Sequence, residues 1–581
     1  MMISKTFKLI VLFTLMTTSS LLGQSSKYFK KNYGDSLPMY EDGLFIQVLS
    51  DGYLTGGGKF FQTQIERAYY VIKVNEFGDV IHEKTNIDTS ITYVIHSAVS
   101  NGATWTFAGL GKVNTDIKYK HFVMKMDSSS NILWAKFVGD STFSSRSYSI
   151  GNTLDGGYIL GGYSLDTAIN YSRGALMKLD SLGNEQWTRI YPSLVANNVI
   201  YHVEQNPDST FTFVGGKDLW VSNGDMWIVH TDENGFEVSS QIYEFVTVLN
   251  SDYNVALHFT KTADNGHIIS GSTGFLNLCR GIIFKIDSTG QVVWEKIMAQ
   301  FPDGSGNPWQ SDIVKSVILP DQSIVSAGLI TVNANGNMQS RALLIKLDST
   351  GNELWRRLFA YNNQANTYGY AMEATPDGGF IIAGRGEGPN IGADLYLIKT
   401  NCLGFTQEPK ANFSVIWNGN MATFYNLSGR ADTCIYYFGD GDSAIVHLTD
   451  TVPIIHTYAG PGPYQPYLLA FACGEIDTLY QTIYSGLDDT KSLIEKSFSI
   501  YPNPANDKLN ISITLPESFK NVNLLFTDLT GRTIVIRKLN ENAREQEIDI
   551  SFLMSGSYLV SVEHNGAVLS TRRMAVVKTG M

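Results

Sequence analysis

Apolar runs of strand length, separated by polar turns rich in Gly, Asp and Asn, fill residues 50 to 405. The pattern is that of β-strands joined by tight turns. The run recurs, closing each time on a glycine: Gly57, Gly109, Gly162, Gly215, Gly271, Gly328 and Gly384, with successive spacings of 52, 53, 53, 56, 57 and 56. In DGGYILGG from Asp155 and DGGFIIAG from Asp377 a turn precedes the run, which predicts a hairpin feeding a buried strand. A second signature follows, such as ALMKLDSLGNEQW from Ala175 and ALLIKLDSTGNELW from Ala342, with its turn 16 to 20 residues beyond the glycine. Asp or Asn opens its turn at Asn75, Asp127, Asp180, Asp232, Asp287, Asp348 and Asn401, and three residues on stands Gly78, Ser130, Gly183, Gly235, Gly290, Gly351 or Gly404. The acid or amide hydrogen-bonds the turn backbone and the glycine accepts positive φ, so the turn itself explains the column without calcium. Trp134, Trp187, Trp294 and Trp355 close the signature and are expected to pack between neighbouring copies. Lys73, Lys125, Lys178, Lys285, Lys346 and Lys399 alternate with apolar neighbours, which predicts a solvated strand face. His82 and His230 stand in columns otherwise held by Trp and Lys, and read as substitutions within the repeat.

Seven copies of this period, each long enough for four short strands, predict an all-β chain whose residues 28–405 form a seven-bladed β-propeller. The seventh copy stops near Phe405 without its Trp-type strand, while YFKKNY, Tyr28 to Tyr33, stands alone before the first. The N-terminal strand is expected to complete the last blade and remove the exposed edges of an open array. KLDSTGNELW resembles the repeat of quinoprotein-type propellers. That resemblance implies the blade and no particular chemistry. The quinone-dependent dehydrogenases among them carry adjacent paired cysteines, which this chain lacks, so no cofactor is assigned.

Two smaller β-sandwiches are expected to follow. Residues 411–485 alternate apolar and polar positions and contain FGDG at Phe438 to Gly441 and HTY before Gly460, a combination that resembles the PKD-type immunoglobulin-like sandwich, a spacer or binding module. Asp440 and Asp442 read as a turn that bonds its own backbone rather than as a metal site. After a polar linker at 486–495, residues 496–581 carry Tyr501-Pro502-Asn503-Pro504, a turn from Asp528 to Gly531 and a strand with Gly556 and Tyr558. These features resemble the type A C-terminal sorting domain of the type IX secretion system of Bacteroidetes. The resemblance implies a transient partnership with that machinery, removal of the domain, and release or attachment at the cell surface.

The N-terminus fits the same route: Lys5 and Lys8, an apolar stretch from Leu9 to Met16 and small or polar residues up to Gly23 predict a signal peptide over 1–23. No later run reaches the length of a membrane-spanning helix, so the mature chain is expected to be soluble, extracellular or attached to the outer surface. A net charge of −12 without any Lys/Arg cluster argues against nucleic acid. Of four cysteines, Cys434 and Cys473 lie in one small segment and are the expected disulfide; Cys279 and Cys402 fall in different repeats and are left unpaired.

No metal, nucleophile or phosphate motif appears, and no residue is assigned as catalytic, as a metal ligand or as a cofactor ligand. Loops that break the repeat hold Trp220, Trp227 and Trp309 among Gly, Asn and Asp; they read first as packing within or over a blade, with stacking on sugars or gripping of peptides as the candidate binding role. The expectation is a non-enzymatic binding or structural protein whose propeller takes an extracellular glycan or protein. The alternative is a propeller glycoside hydrolase or lyase, which needs two carboxylates held about 5 to 9.5 Å apart.

Overall fold

The computed structural model describes residues 26–578 apart from short segments, the longest of them 246–252, 299–309 and 482–493. The expected signal peptide, Trp220, Trp309 and most of the expected linker lie outside the described residues. The chain is all-β, and among the described residues only 494–497 are helical. None of those residues forms a helix long and apolar enough to cross a membrane. Two compact units divide it: Met1–Glu373 with Ile381–Lys399, and Ala374–Phe380 with Thr400–Met581.

The first unit is built from repeated four-stranded antiparallel meanders. Five are separate sheets, running from Ile91–Ser100 to Ile132–Val138, Ser144–Asn152 to Glu185–Tyr191, Asn197–Gln205 to Glu237–Tyr243, Tyr253–Lys261 to Val292–Ile297, and Ser311–Ile318 to Glu353–Phe359. The first and last copies share one nine-stranded sheet. In it Phe29–Tyr33 lies antiparallel to Ala393–Thr400, with Phe29 opposite Lys399. The short strand Met39–Glu41 joins the two halves, parallel to Ala393–Thr400 and antiparallel to Gly52–Phe61.

The glycine column has a steric cause. A Cβ at Gly109, Gly162, Gly215, Gly271 or Gly328 would fall inside the carbonyl of Val94, Arg146, Val199, Val255 or Asp312 on the neighbouring strand. The turn column behaves as its chemistry dictates. Asp180 Oδ1 accepts the N–H groups of Leu182 and Asn184 at 2.9 and 2.8 Å, and Gly183 sits at φ +77°. Three of the four Trp reach the next copy's turn: Trp134 lies over Gly183, Trp187 over Gly235 and Trp294 over Gly351. The lysine column departs from the solvated face that alternation predicts. Lys73, Lys178, Lys285 and Lys346 turn back onto Asp51, Asp155, Asp264 and Asp321 of the hairpin turn, at 2.8, 2.8, 2.7 and 3.3 Å. Lys178 and Lys399 are buried outright. The neighbouring copy covers their strand face, so the charge is paired rather than solvated.

In the second unit, residues 411–481 form a three-stranded and a four-stranded sheet over one core that includes Phe413, Phe424, Tyr436 and Tyr458. Residues 494–577 repeat the scheme with a separate core around Phe498, Leu524 and Phe526. The expected Cys434–Cys473 bridge is not formed: Cys473 pairs with Cys402, their Cα atoms 5.7 Å apart. Cys434 stands in mid-strand opposite Ala470, its side chain buried in the core, whereas Cys473 lies on the turn beyond that strand. A position facing the core and one on a turn do not meet, and Cys434 and Cys279 are buried thiols outside that disulfide.

Candidate functional site

Where the first strand of a copy pairs with its second, the register slips: between Ile95 and Ser97, Ser147 and Ser149, Ile200 and His202, Ala256 and His258, Ile313 and Lys315. Each slip is a bulge beside the column glycine, and it takes His96, Tyr148, Tyr201, Leu257 or Val314 out of the ladder. A bulge re-aims its side chain, and four of these five residues line a single cavity of about 310 Å³. The first strands of all seven copies contribute to its wall, through Phe45, His96, Tyr148, Tyr201, His258, Lys315 and Tyr370 among others.

One stretch of that wall is aromatic. The His96 and Tyr148 rings are 5.4 Å apart and those of Tyr148 and Tyr201 4.9 Å, with Arg146 Nη1 donating to the Tyr148 hydroxyl at 3.2 Å. Another stretch is charged and hydrogen-bonding. His202 stacks on His258 at 4.2 Å and its Nε2 lies 3.1 Å from Glu204 Oε1, while Lys315 and Glu373 form an ion pair at 2.5 Å. Burial, reinforced by the Arg146 charge, pushes His96 down to about 3. Burial, with the charges of His202 and Lys315, holds His258 far below the ordinary imidazole value. Both rings are therefore neutral at physiological pH. Burial works to raise Glu204, but the His202 hydrogen bond and the charges of His202 and Lys315 outweigh it and hold the carboxyl below its usual range. The cavity offers aromatic faces beside one ammonium, two carboxylates and neutral imidazoles, a set suited to a polar ligand that also has an apolar face.

None of these residues was singled out from the sequence. The only signal is an aromatic bias: the position 13 or 14 residues before the column glycine reads Leu44, His96, Tyr148, Tyr201, Leu257, Val314, Tyr370, between flanks that vary as much. Trp227, a candidate ligand-stacking aromatic by its sequence, is 3% exposed and packs edge-on against Tyr191 and Phe213 at 5.7 and 5.2 Å, the packing role its sequence also allows. It lies within the strand Asp225–Thr231, where residues 226–229 are all buried because both faces of the strand are covered.

In the second unit, Asp440, Asp442 and His456 bring ligand atoms within 4.8 Å of one another. Asp440 takes the Asp442 N–H at 3.2 Å and His456 Nε2 lies 2.6 Å from it, so the turn and the histidine account for the carboxylate. Of the sorting-motif residues, Tyr501 to Pro504 are exposed, whereas Asp528 and Tyr558 are half-buried and face each other on the two central strands of the four-stranded sheet. Asn503 exchanges hydrogen bonds with the backbone of the last strand, donating to Arg573 O at 2.9 Å and accepting from Ala575 N at 2.8 Å. Asp528 and Gly531 close a turn, and Gly556 opens the strand on which the Tyr558 hydroxyl donates to Met554 O at 2.9 Å.

Residues 499–577 match the secretion system C-terminal sorting domain. The chain thus carries a type IX sorting domain, which marks it for export to the cell surface or the extracellular space and implies transient interaction with that machinery. No curated protein matches the chain. Among solved structures it is similar to a puromycin hydrolase at 11% identity and a TM-score of 0.31, covering 80% of this chain and 58% of that one. The endo-arabinase from Bacteroides thetaiotaomicron VPI-5482 matches at 12% and 0.28, covering 46% and 96%. A polysaccharide lyase, PL25 ulvan lyase, matches at 6% and 0.33, covering 62% and 93%. Likenesses this loose say nothing of fold or activity.

Proposed function

We propose that the chain is an exported binding protein in which residues 28–405 form a seven-bladed propeller, 411–485 a PKD-like spacer and 496–581 the export address, with the cavity along the propeller axis as the ligand site. The observation that carries this reading is the convergence of the first strand of every copy on one cavity. Seven equivalent strands around a single space is what a ring of blades produces. The contacts between the last and first copies support closure. Phe29 lies over Gly78 as Trp187 lies over Gly235, and the Tyr33 hydroxyl donates to Gly78 O as Tyr191 does to Gly235 O, at 2.7 and 2.6 Å. The ligand is a glycan or protein segment that stacks on Tyr148 and Tyr201 and is held by Lys315, Glu204 and Glu373.

The convergence of two carboxylates with two imidazoles favours a second reading, a hydrolase or lyase acting on polysaccharide. Against it, Glu204 is held ionised and Glu373 is tied to Lys315, whereas a general acid must keep its proton near neutral pH. The two readings separate in one experiment: the purified chain is screened against glycans and matrix proteins, with product analysis of the same wells. Saturable binding of intact ligand, weakened at least tenfold by Tyr148→Ala, is expected. Shortened glycans overturn it in favour of the enzyme.

A further inference from the structure

Three repeat columns break together at the junction between the copies that begin at Asn197 and Tyr253. The lysine column holds His230. Opposite it, where Trp187 stands opposite Lys178, stands Ser239. The large apolar residue opening the second strand (Tyr53, Trp105, Tyr158, Phe211, Ile324 or Phe380 in other copies) is His267. Two earlier junctions are plugged by aromatic pairs, Trp134 edge-on to Tyr158 at 6.3 Å and Trp187 edge-on to Phe211 at 5.7 Å. Here the plug is missing, and a cleft of about 520 Å³ is lined by Asn206, Thr212, His230, Val238, Lys261 and His267 among others.

The cleft sets two imidazoles and an ammonium against one carboxylate, Asp208, which lies within the field of Lys261. The imidazoles of His230 and His267 are 6.0 Å apart, and His230 Nδ1 is 3.0 Å from Thr212 Oγ1. Lys261 makes no hydrogen bond or ion pair among the described residues. The carboxylate lining the cleft, Asp208, is engaged by the N–H and hydroxyl of Thr210 at 3.2 and 2.6 Å. We propose that this cleft binds a ligand through a carboxylate, sulfate or phosphate group, held by Lys261, His230 and His267. The site is separate from the axial cavity and does not depend on its ligand.

The titratable and charged groups acting on the two imidazoles are few. Burial holds His267 at about 4, aided by His230 and Lys261 and opposed by Glu204; burial and Lys261 lower His230. An oxyanion reverses that field, so its binding draws a proton onto the imidazoles and converts neutral contacts into charge-assisted hydrogen bonds. Affinity then rises as pH falls from 8 toward 5.

Titration calorimetry of the full exported chain tests this with sodium sulfate, sodium phosphate, trigalacturonate and a sulfated disaccharide as probes. At least one probe is expected to bind saturably. Tenfold tighter binding of a saccharide probe than of the free ions assigns the anion to a saccharide, and equal binding assigns it to the free ion. Lys261→Ala, an exposed position, is expected to weaken binding at least tenfold. Ser239→Trp with His267→Tyr, which restores the plug of the other junctions, is expected to abolish it. No binding by any probe, or affinity within twofold of the parent in Lys261→Ala, overturns the proposal.

Discussion

Two adjacent junctions of the first unit share a frame and differ in filling. At the one between the copies beginning at Ser144 and Asn197, Trp187 covers Gly235 and meets Phe211, while buried Lys178 is clasped by Asp155 at 2.8 Å. At the next, Gln241 takes over the turn, donating to Thr289 O at 2.9 Å, and Ser239, His230 and His267 stand where tryptophan, lysine and aromatic would be. The frame persists across both: the Tyr191 hydroxyl donates to Gly235 O at 2.6 Å and that of Tyr243 to Gly290 O at 2.8 Å. At these two junctions glycine, turn and tyrosine therefore set how copies meet. The aromatic plug is an added filling, and a copy that gives it up gains a polar cleft.

The comparison breaks most completely at Gly215, which belongs to the copy shared by both junctions. Gly215→Val drives a side chain into the Val199 carbonyl, and a loss of more than about 4 kcal/mol is expected, read as failure to recover protease-resistant protein. Trp187→Ala opens the closed junction only. A loss of about 2–4 kcal/mol is expected, visible as a lower urea midpoint for the first unit.

The Lys178–Asp155 clasp gives the closed junction an acid dependence. Burial works to raise Asp155, yet Lys178, the Thr153 hydroxyl and the Gly157 N–H together hold it at about 2, below its ordinary 3.8. A carboxyl depressed in the folded state contributes stability above about pH 4 and loses it as pH falls toward 2. Lys178→Met is expected to cost about 1 kcal/mol at pH 7, with the penalty shrinking toward pH 2 in urea titrations across that range. The smallest effect falls on the open side: Ser239→Ala is exposed and plugs nothing, so a change within about 0.5 kcal/mol is expected by the same titration.

Much of the frame is legible in the amino-acid sequence, because its causes are local. A turn needs its Asp and Gly in order, and repetition of that need across the copies from Asn75 to Asn401 makes it visible. The sorting motif around Tyr501 to Pro504 is legible for a similar reason, as a contiguous segment. The bulged residues are not. His96, Tyr148 and Tyr201 look like ordinary strand positions until pairing with the second strand slips the register and turns them out of the ladder. The packing partners of Trp227 are hidden on the same ground, since Tyr191 and Phe213 are supplied by other strands. The cysteines were misread because segment proximity says nothing of facing: Cys434 points into a core and Cys473 sits on a turn within reach of Cys402.

The sequence by itself determined the strands, the turns, the period and the export address, all of which follow from backbone preferences and spacings within a few dozen residues. Tertiary structure decided which lysines are buried, which cysteines meet, and which side chains share a cavity or a cleft. Those outcomes depend on contacts between copies about 50 residues apart and, for the disulfide, between positions 71 residues apart, and chemistry at such distances is set by which faces the packed elements turn toward each other.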